Sequence, residues 1–481
     1  MLSLNAYIPF LMVGGFLLLT LVVGLRFKSK TTLLREYAIG NKQFPTATLA
    51  TTILAVVCGG GMLKYNVELI HQEGLFWVIM LLFSSVGILI ISPLALCMGP
   101  FMQHLSMSET IGSVYGKYPR IIAAITTIGF SIVLIAIQIS VMAKAINMCM
   151  DTVDSKIITI VATLVLICYS AIGGIRSVTF TDVLQFVTFT IIIPLLAVNL
   201  FHKIDNPIET IVPFLQRQEK FQFGSIFHLN INLVAILSII LSSLLSYTHP
   251  IVVQRVYMSA SPIQASKAFL YAAPFGVLIY FFIILIGLFI FVSAPTLSTE
   301  QIWPHIMSQL SPVFKGWVSI SLLAMGMSTA DSCLHVCSVM VSHDMVESVR
   351  GNKVVSYVYQ FGLSRLTSIV VGLLAMILAF KDNNVMELRI LACEFPVVII
   401  TAPFILAVLG FRGTASTALI GMTTGLLTLL AWNKWIEPVT EIMGAFPCMV
   451  ANGLAMMAAH YLLPQPAGSG WVANGALKQT R

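Results

Sequence analysis

Long apolar runs alternate with short polar stretches along the whole chain. A run of about twenty apolar residues can cross a bilayer as an α-helix, and the pattern predicts about thirteen of them. The longest polar break, residues 203–227, leaves no room for a soluble domain between the runs. We therefore predict an all-α polytopic membrane protein. The predicted spans begin near residues 7, 44, 74, 120, 157, 180, 228, 268, 314, 361, 387, 414 and 441.

The composition agrees with this pattern. Of the 481 residues, 58% are hydrophobic and only 9% are charged, and the mean hydropathy is +0.95. Soluble domains are about 25% charged, so a water-soluble fold of this size is excluded. The net charge of +7 does not indicate nucleic-acid binding, because the basic residues are spread over the loops. The expected partner of the apolar surface is a lipid bilayer.

The basic residues favour one side of the membrane. If the N-terminus lies outside, the odd-numbered loops and the C-terminus hold 16 of the 26 Lys and Arg residues. Loops on the cytoplasmic side are enriched in Lys and Arg. We therefore predict a multi-pass protein of the plasma (inner) membrane, with its N-terminus outside and its C-terminus in the cytoplasm. The 16 positions are 26, 28, 30, 35, 42, 117, 120, 176, 255, 267, 350, 353, 365, 412, 478 and 481.

The eight cysteines lie in or beside apolar runs, and no CxxC pair occurs. Small buried hydrophobic residues are their expected role, so the cysteines predict no metal site and no cofactor. No nucleophile–base or metal-ligand pattern recurs with a workable spacing, which argues against an enzyme.

One stretch, AMGMSTADSCLHVCSVMVSHD at residues 324–344, carries hydroxyls and acids where lipid would select Leu and Val. On a helix, Met325, Ser328 and Thr329 share one face. The Met325 carbonyl and the two hydroxyls offer a hard cation three neutral oxygens. The alternative interpretation is that the hydroxyls only bond back to carbonyls of their own helix.

Two predicted spans are interrupted at corresponding positions. The second span contains AVVCGGG at residues 55–61, and the seventh contains small polar residues and Pro250 within 242–250. Irregular backbone at membrane depth is tolerated where it lines a cavity. Each break lies in the first helix of a five-helix group, spans 2–6 and 7–11, which indicates an inverted-repeat transporter with its site at mid-membrane. Close packing through small residues is the alternative for the glycines.

Four segments carry recognisable motifs: REYAIGNK at 35–42, YSAIGGIRSVTFTDVLQF at 169–186, QR at 254–255 and MST at 327–329. Together they resemble the sodium/solute symporter family, and within it the bacterial sodium/proline-type members. The resemblance covers nearly the whole chain and implies a LeuT-type core of inverted five-helix repeats that imports a small solute with sodium by alternating access.

The resemblance also implies a ligand set for the main sodium ion. Carbonyl oxygens of Ala55, Cys58 and Met325 would combine with the hydroxyls of Ser328 and Thr329. This agrees with the oxygens counted from the residues alone, since a broken helix exposes carbonyl groups.

A second cation site is predicted from Asp182, Ser328, Asp331 and Ser332. Some members of the resembled family bind an additional sodium there, although Asp331 stands where they often have a hydroxyl. Two carboxylates so close would repel, so the site is expected to hold a cation or a shared proton. In the alternative interpretation Asp182 caps a helix and Asp331 pairs with a cytoplasmic arginine such as Arg176.

Candidate substrate contacts follow from the interrupted spans and from charges inside spans, which are functional candidates because they are costly to bury. Glu394 precedes a proline and is predicted to select a substrate with a positive group. A structural ion pair is the alternative for Lys64 and Glu68. The candidates are Met62, Lys64, Glu68, Ser242, Ser246, Tyr247 and Glu394.

We predict a first helix and cytoplasmic linker at 1–43 and a transport core at 44–411, with repeats at 44–202 and 228–411. Two peripheral helices at 412–463 and a flexible cytoplasmic tail at 464–481 follow. The predicted function is sodium-coupled import of a small organic solute, such as an amino acid or a carboxylate. The alternative is a solute-sensing membrane module that signals to a separate partner. The oligomeric state and the substrate identity are left open.

Overall fold

The computed structural model describes residues 7–27, 33–149, 154–224, 233–350, 357–381, 393–440 and 442–472. The predicted starts of two spans, near 228 and 387, and the last nine residues of the tail lie outside these ranges. The described chain is almost entirely helical, which confirms the predicted all-α class. Its helices are α1 (Ile8–Arg26), α2 (Leu34–Ile39), α3 (Thr46–Val57), α4 (Gly60–Glu73), α5 (Leu75–Val86), α6 (Ile88–Cys97), α7 (Met107–Tyr115), α8 (Lys117–Cys149), α9 (Ser155–Phe201), α10 (Pro207–Arg217), α11 (Leu233–Leu245), α12 (Pro250–Met258), α13 (Pro262–Ser293), α14 (Thr299–Ser308), α15 (Pro312–Val339), α16 (Val346–Arg350), α17 (Tyr357–Lys381), α18 (Cys393–Leu409), α19 (Ala415–Ala431), α20 (Glu437–Thr440) and α21 (Ala445–Leu462).

Within the described ranges, nine helices are long and apolar enough to cross a membrane, and eleven spans result if each of two bent pairs is counted as one. The longest helix, α9, has 47 residues and would be about 70 Å long if straight, which is more than twice the thickness of a bilayer core. It is interrupted at Gly174, whose φ of 61° and ψ of −157° are not helical. The total of thirteen spans stays a prediction.

The two predicted interruptions are present as sharp bends. Helices α3 and α4 meet at 55°, and α11 with its following turn meets α12 at 43°. At the first bend, a Cβ on Gly60 would lie 2.9 Å from the Leu322 carbonyl oxygen, so only glycine permits this approach to α15. At the second bend, His249 has a ψ of 144° and Pro250 begins α12, a position where its missing N–H costs nothing.

Helix α15 forms the centre of the bundle. In the span that includes α15, 94% of the residues in the 18-residue apolar stretch are buried, compared with 33% in α1. It packs mainly against α8 and α9 and also contacts α1, α3 and α4. A π-helical turn, Met340–Met345, continues it into α16. Polar residues on α15 are therefore enclosed by protein and not by lipid.

Two segments that the sequence pattern assigns to linker and tail are ordered. In the linker, α2 places Tyr37 in a fully buried position against His335 and Phe361. In the tail, the strand β2 (Gly470–Trp471) pairs antiparallel with β1 (Phe411–Arg412). The tail up to residue 472 therefore contacts the core through this strand pair, and its flexibility stays a prediction.

Candidate functional site

The hydroxyls of Ser328 and Thr329 meet the end of the first broken helix. The Ser328 hydroxyl lies 2.7 Å from the Ala55 carbonyl oxygen and 3.0 Å from that of Met325. The Thr329 hydroxyl lies 3.1 Å from the Val56 carbonyl oxygen and 3.3 Å from that of Met325. Each hydroxyl thus bonds back along its own helix, as in the alternative interpretation, and also reaches across to a carbonyl of α3. Cation binding by these oxygens stays a prediction.

Neutral oxygens therefore converge at this point from two helices. The carbonyls of Ala55 and Val56 are in the last turn of α3, where helical carbonyls lack partners in their own helix. Hard cations prefer such oxygen ligands. Val56 was not among the predicted ligands. Cys58, which was, is the buried residue that ends α3, with φ −87° and ψ 66°; the role of its carbonyl stays a prediction.

A buried arginine of α12 contacts α15 one turn beyond Ser328. The Arg255 Nη2 atom is 2.6 Å from the Ser332 hydroxyl and 3.1 Å from Asp182 Oδ2. Arg255 is 1% exposed and Asp182 is fully buried. The assignment of Arg255 to a cytoplasmic loop is therefore wrong, and so is the interpretation of Asp182 as a surface helix cap. Both errors arise because the partner of each residue is 73 positions away in the sequence.

The second acid of this cluster has neutral partners. Asp331 Oδ2 accepts a hydrogen bond from the Tyr169 hydroxyl at 2.7 Å and lies 3.4 Å from the Thr181 hydroxyl. The alternative pairing of Asp331 with Arg176 is wrong, because Arg176 lies 3.6 Å from Glu36 instead. The structure thus brings Asp182, Asp331 and Ser332 together, as predicted, but around a guanidinium group that the sequence did not reveal.

Aromatic rings pack around the second break. Tyr247 is buried, and its hydroxyl lies 3.3 Å from that of Tyr280 on α13. The ring fills the space beside Gly87, where a Cβ would be 2.3 Å away. His249 stacks on Phe130 of α8, with ring centroids 4.6 Å apart and planes 8° from parallel. Among these aromatic residues, only Tyr247 was a predicted contact.

The two serine candidates lie just before this break. The Ser246 hydroxyl donates to the Ser242 carbonyl at 3.2 Å. The Ser242 hydroxyl is buried, and no described residue forms a hydrogen bond with it; its contact with a solute stays a prediction. Met62 lies on the other broken span, where its N–H donates to the Gly59 carbonyl at 2.9 Å.

The predicted charged contacts are engaged with other groups. Lys64 Nζ is 2.5 Å from Glu68 Oε1, one turn apart on α4, which agrees with the ion-pair alternative. The third charged candidate, Glu394 of α18, accepts a hydrogen bond from the Asn433 amide at 3.1 Å. It therefore faces the peripheral helices in this conformation. Whether it contacts a substrate stays a prediction.

One buried polar side chain near the first break, Gln138, was not predicted from the sequence. Gln138 of α8 is only 4% exposed, and its Oε1 atom has no hydrogen-bond partner. A Cβ on Gly59 would be 3.3 Å from the Gln138 amide nitrogen and 3.0 Å from the Thr329 hydroxyl. An isolated polar residue in a long apolar run was the signal in the sequence that could have identified it.

The chain is similar in sequence to known proteins. A family model described as "Sodium:solute symporter family" matches residues 37–425. Sodium/proline symporter 2 of Staphylococcus saprophyticus is 29% identical over 146 residues, and the sodium/proline symporter of Staphylococcus aureus is equally similar. Each alignment covers 29% of this chain and no more than 29% of the relative, so the match spans less than a third of those proteins.

Solved structures share the fold over far more of the chain. A substrate-bound, outward-open Na+-coupled sialic acid symporter has a TM-score of 0.84 at 19% identity, covering 95% of this chain and 98% of that one. MhsT in complex with L-phenylalanine has a TM-score of 0.55 at 12% identity, covering 86% and 98%. These similarities confirm the predicted LeuT-type fold.

Proposed function

Since the chain belongs to the sodium:solute symporter family, we propose that it is a secondary symporter that couples the entry of sodium to the import of a small organic solute by alternating access. The observation that carries this proposal is the contact of the Ser328 and Thr329 hydroxyls with the Ala55 and Val56 carbonyls across a broken helix. A sodium ion moving inward gains about 2.3 kcal/mol per 100 mV of membrane potential. That gradient supplies the energy for solute accumulation.

The proposed solute is an amino acid or another small carboxylate. Relatives named as sodium/proline symporters and a neighbour that carries sialic acid support this class. The groups between the two breaks also support it: Gln138, Ser242 and Tyr247 are uncharged side chains that can hydrogen-bond a small polar solute. The proposed orientation follows the positive-inside pattern, with the N-terminus outside. No catalytic residue is assigned.

The proposed coupling site is tested by measuring sodium-dependent uptake into proteoliposomes. Ser328→Ala and Thr329→Ala each remove one ligand from a desolvated ion, which costs about 1–3 kcal/mol. Each variant should raise the sodium concentration for half-maximal uptake by about 5- to 100-fold. Because uptake requires candidate solutes, proline and other small zwitterions are tried first.

Ser342→Ala is the matched control. The Ser342 hydroxyl is buried on the same helical segment but bonds only to Ser338 and Val339 of its own helix. It lies about 20 Å along the axis from Ser328. An unchanged sodium requirement in both test variants, with normal expression, contradicts the site. Solute binding that depends on sodium but is never followed by uptake would favour the sensor alternative.

A further inference from the structure

A cavity of about 340 Å³ opens at one end of the bundle, where α8 begins and α16 ends. Its volume is in the range of small-ligand sites. Three of the side chains that line it are basic, Lys117, Arg120 and Arg350, and one is acidic, Glu347. The cavity is distinct from the hydroxyl and arginine clusters described above.

The acids around this cavity are already paired. Arg120 Nε is 2.8 Å from Asp344 Oδ1, and its Nη2 atom is 3.0 Å from Glu347 Oε2. Glu347 also lies 3.1 Å from His343 Nδ1. Burial alone raises the pKa of nearby Glu109, but the hydrogen bond and charge of His343 outweigh it, so the pKa falls to about 2. The Arg120 guanidinium is thus already paired with the carboxylates of Asp344 and Glu347.

Lys117 and Arg350 are in a different situation. Both are exposed, and the described part of the chain shows neither in an ion pair. Each instead lies near a tyrosine ring: the Arg350 guanidinium is 4.9 Å from the centroid of Tyr359, and Lys117 Nζ is 6.0 Å from that of Tyr118. Two positive charges are therefore available at the mouth of the cavity.

Uncharged hydrogen-bond donors at the cavity also favour an anionic ligand. Ser348 lines the cavity and is 5% exposed, yet none of the residues that the structure describes forms a hydrogen bond with its hydroxyl. Gly116, with a φ of 89°, turns the chain into the 33-residue helix α8. The first N–H groups of a helix lack intrahelical partners and carry partial positive charge. Such a combination suits an anion.

We propose that this cavity binds a phosphate group, carried by an anionic lipid headgroup or by a soluble phosphate. Lys117 and Arg350 hold its charge, and the Ser348 hydroxyl donates to one of its oxygens. Val349 lines the cavity and Tyr118 follows the cavity residue Lys117 in the chain; both are exposed and suit the interface between headgroups and acyl chains. Basic pockets between membrane helices commonly bind such headgroups.

The test uses delipidated full-length protein in detergent, with thermal unfolding followed as ligand is added. The probes are dioctanoyl phosphatidylglycerol, dioctanoyl phosphatidylcholine, and potassium phosphate against potassium chloride of equal ionic strength. The double variant Lys117→Gln/Arg350→Gln should weaken binding of the anionic probe about 30-fold, since each basic residue contributes about 1 kcal/mol, or about fivefold. Ser348→Ala should weaken it about fivefold with both charges retained.

Lys267→Gln is the matched control, because Lys267 is exposed near the start of another long helix but lies outside the cavity. Stabilisation by phosphatidylglycerol and not by phosphatidylcholine identifies a lipid source, and stabilisation by inorganic phosphate alone identifies a soluble one. Either result supports the site only if the double variant loses it and Lys267→Gln keeps it. Anion binding that survives the double variant, or the absence of any preference for the anionic probes, overturns the proposal.

Discussion

Replacing Arg255 with glutamine should destabilise this protein more than any other single change to an arginine described here. The guanidinium is 1% exposed and contacts the Ile251 carbonyl at 3.0 Å, the Ser332 hydroxyl at 2.6 Å and Asp182 at 3.1 Å. Removing one partner of a buried ion pair costs about 3–5 kcal/mol, because the remaining charge is left uncompensated. Here the cost should lie at the upper end, since Asp331 is close by and carries a second carboxylate.

The assay is a double-mutant comparison of thermal unfolding temperatures in detergent. Arg255→Gln should unfold well below the wild type, whereas Arg255→Gln/Asp182→Asn should recover much of the loss, because it also removes the acid that the arginine pairs with. Arg365→Gln is the control: this arginine is half-buried, and within the described ranges it donates to the neutral Ile172 carbonyl at 3.2 Å and lies 4.3 Å from the centroid of the Phe361 ring. Its loss should cost about 1–2 kcal/mol, because no acid is left without a partner.

Two outcomes would refute this reasoning. If Arg255→Gln unfolds like the wild type, the pair contributes nothing; if the double variant is less stable than Arg255→Gln, charge compensation is not the cause. Sodium provides a further readout. If Asp182, Asp331 and Ser332 can hold a cation, sodium should stabilise Arg255→Gln more than it stabilises the wild type, because the guanidinium no longer occupies the acids.

Three further predictions concern the breaks and the acids. Gly60→Ala should abolish sodium-dependent uptake, because its Cβ would be 2.9 Å from a backbone oxygen of α15, whereas Gly453→Ala, with its nearest neighbour at 3.7 Å, should be tolerated. Glu394→Gln should raise the KM for solute and leave the sodium requirement unchanged if the acid contacts substrate; equal changes in both, or in neither, would show a structural role. Reversal potentials in proteoliposomes should give two cations per solute in the wild type and one in Asp331→Asn if the second cation site exists, and a ratio of one in the wild type would end that prediction.

The fold could be predicted because its signals are local. Each span is a continuous apolar run. Each break carries residues that are costly in a membrane helix, such as the glycines at 59–61 and Pro250. The hydroxyls of Ser328 and Thr329 were recognisable for the same reason, since they interrupt an otherwise apolar helix. These features need no knowledge of distant contacts.

The parts of the site that were missed depend on distant contacts. Arg255 follows a proline and a glutamine near the end of a short helix, and a count of basic residues per loop cannot distinguish it from a surface arginine. Arg255 is buried together with its partner Asp182, which lies on a different helix. The sequence does not show that these two helices meet. The choice of Val56 over Cys58 as a contact of Thr329 depends on where α3 ends, and element ends are the least predictable feature of a sequence.

One face of α15 connects the two broken spans. Ser328 contacts the Ala55 carbonyl of the first, and Ser332, one turn further along the same face, contacts Arg255 of the second. Residues four apart on a helix are separated by about 6 Å. If sodium binds between Ser328 and Ala55 as proposed, it acts within one helical turn of the arginine of α12 that contacts Ser332. We therefore expect occupancy of the proposed cation site to affect α12 through this short route, because the contacts on α15 that link the two broken spans are only one turn apart.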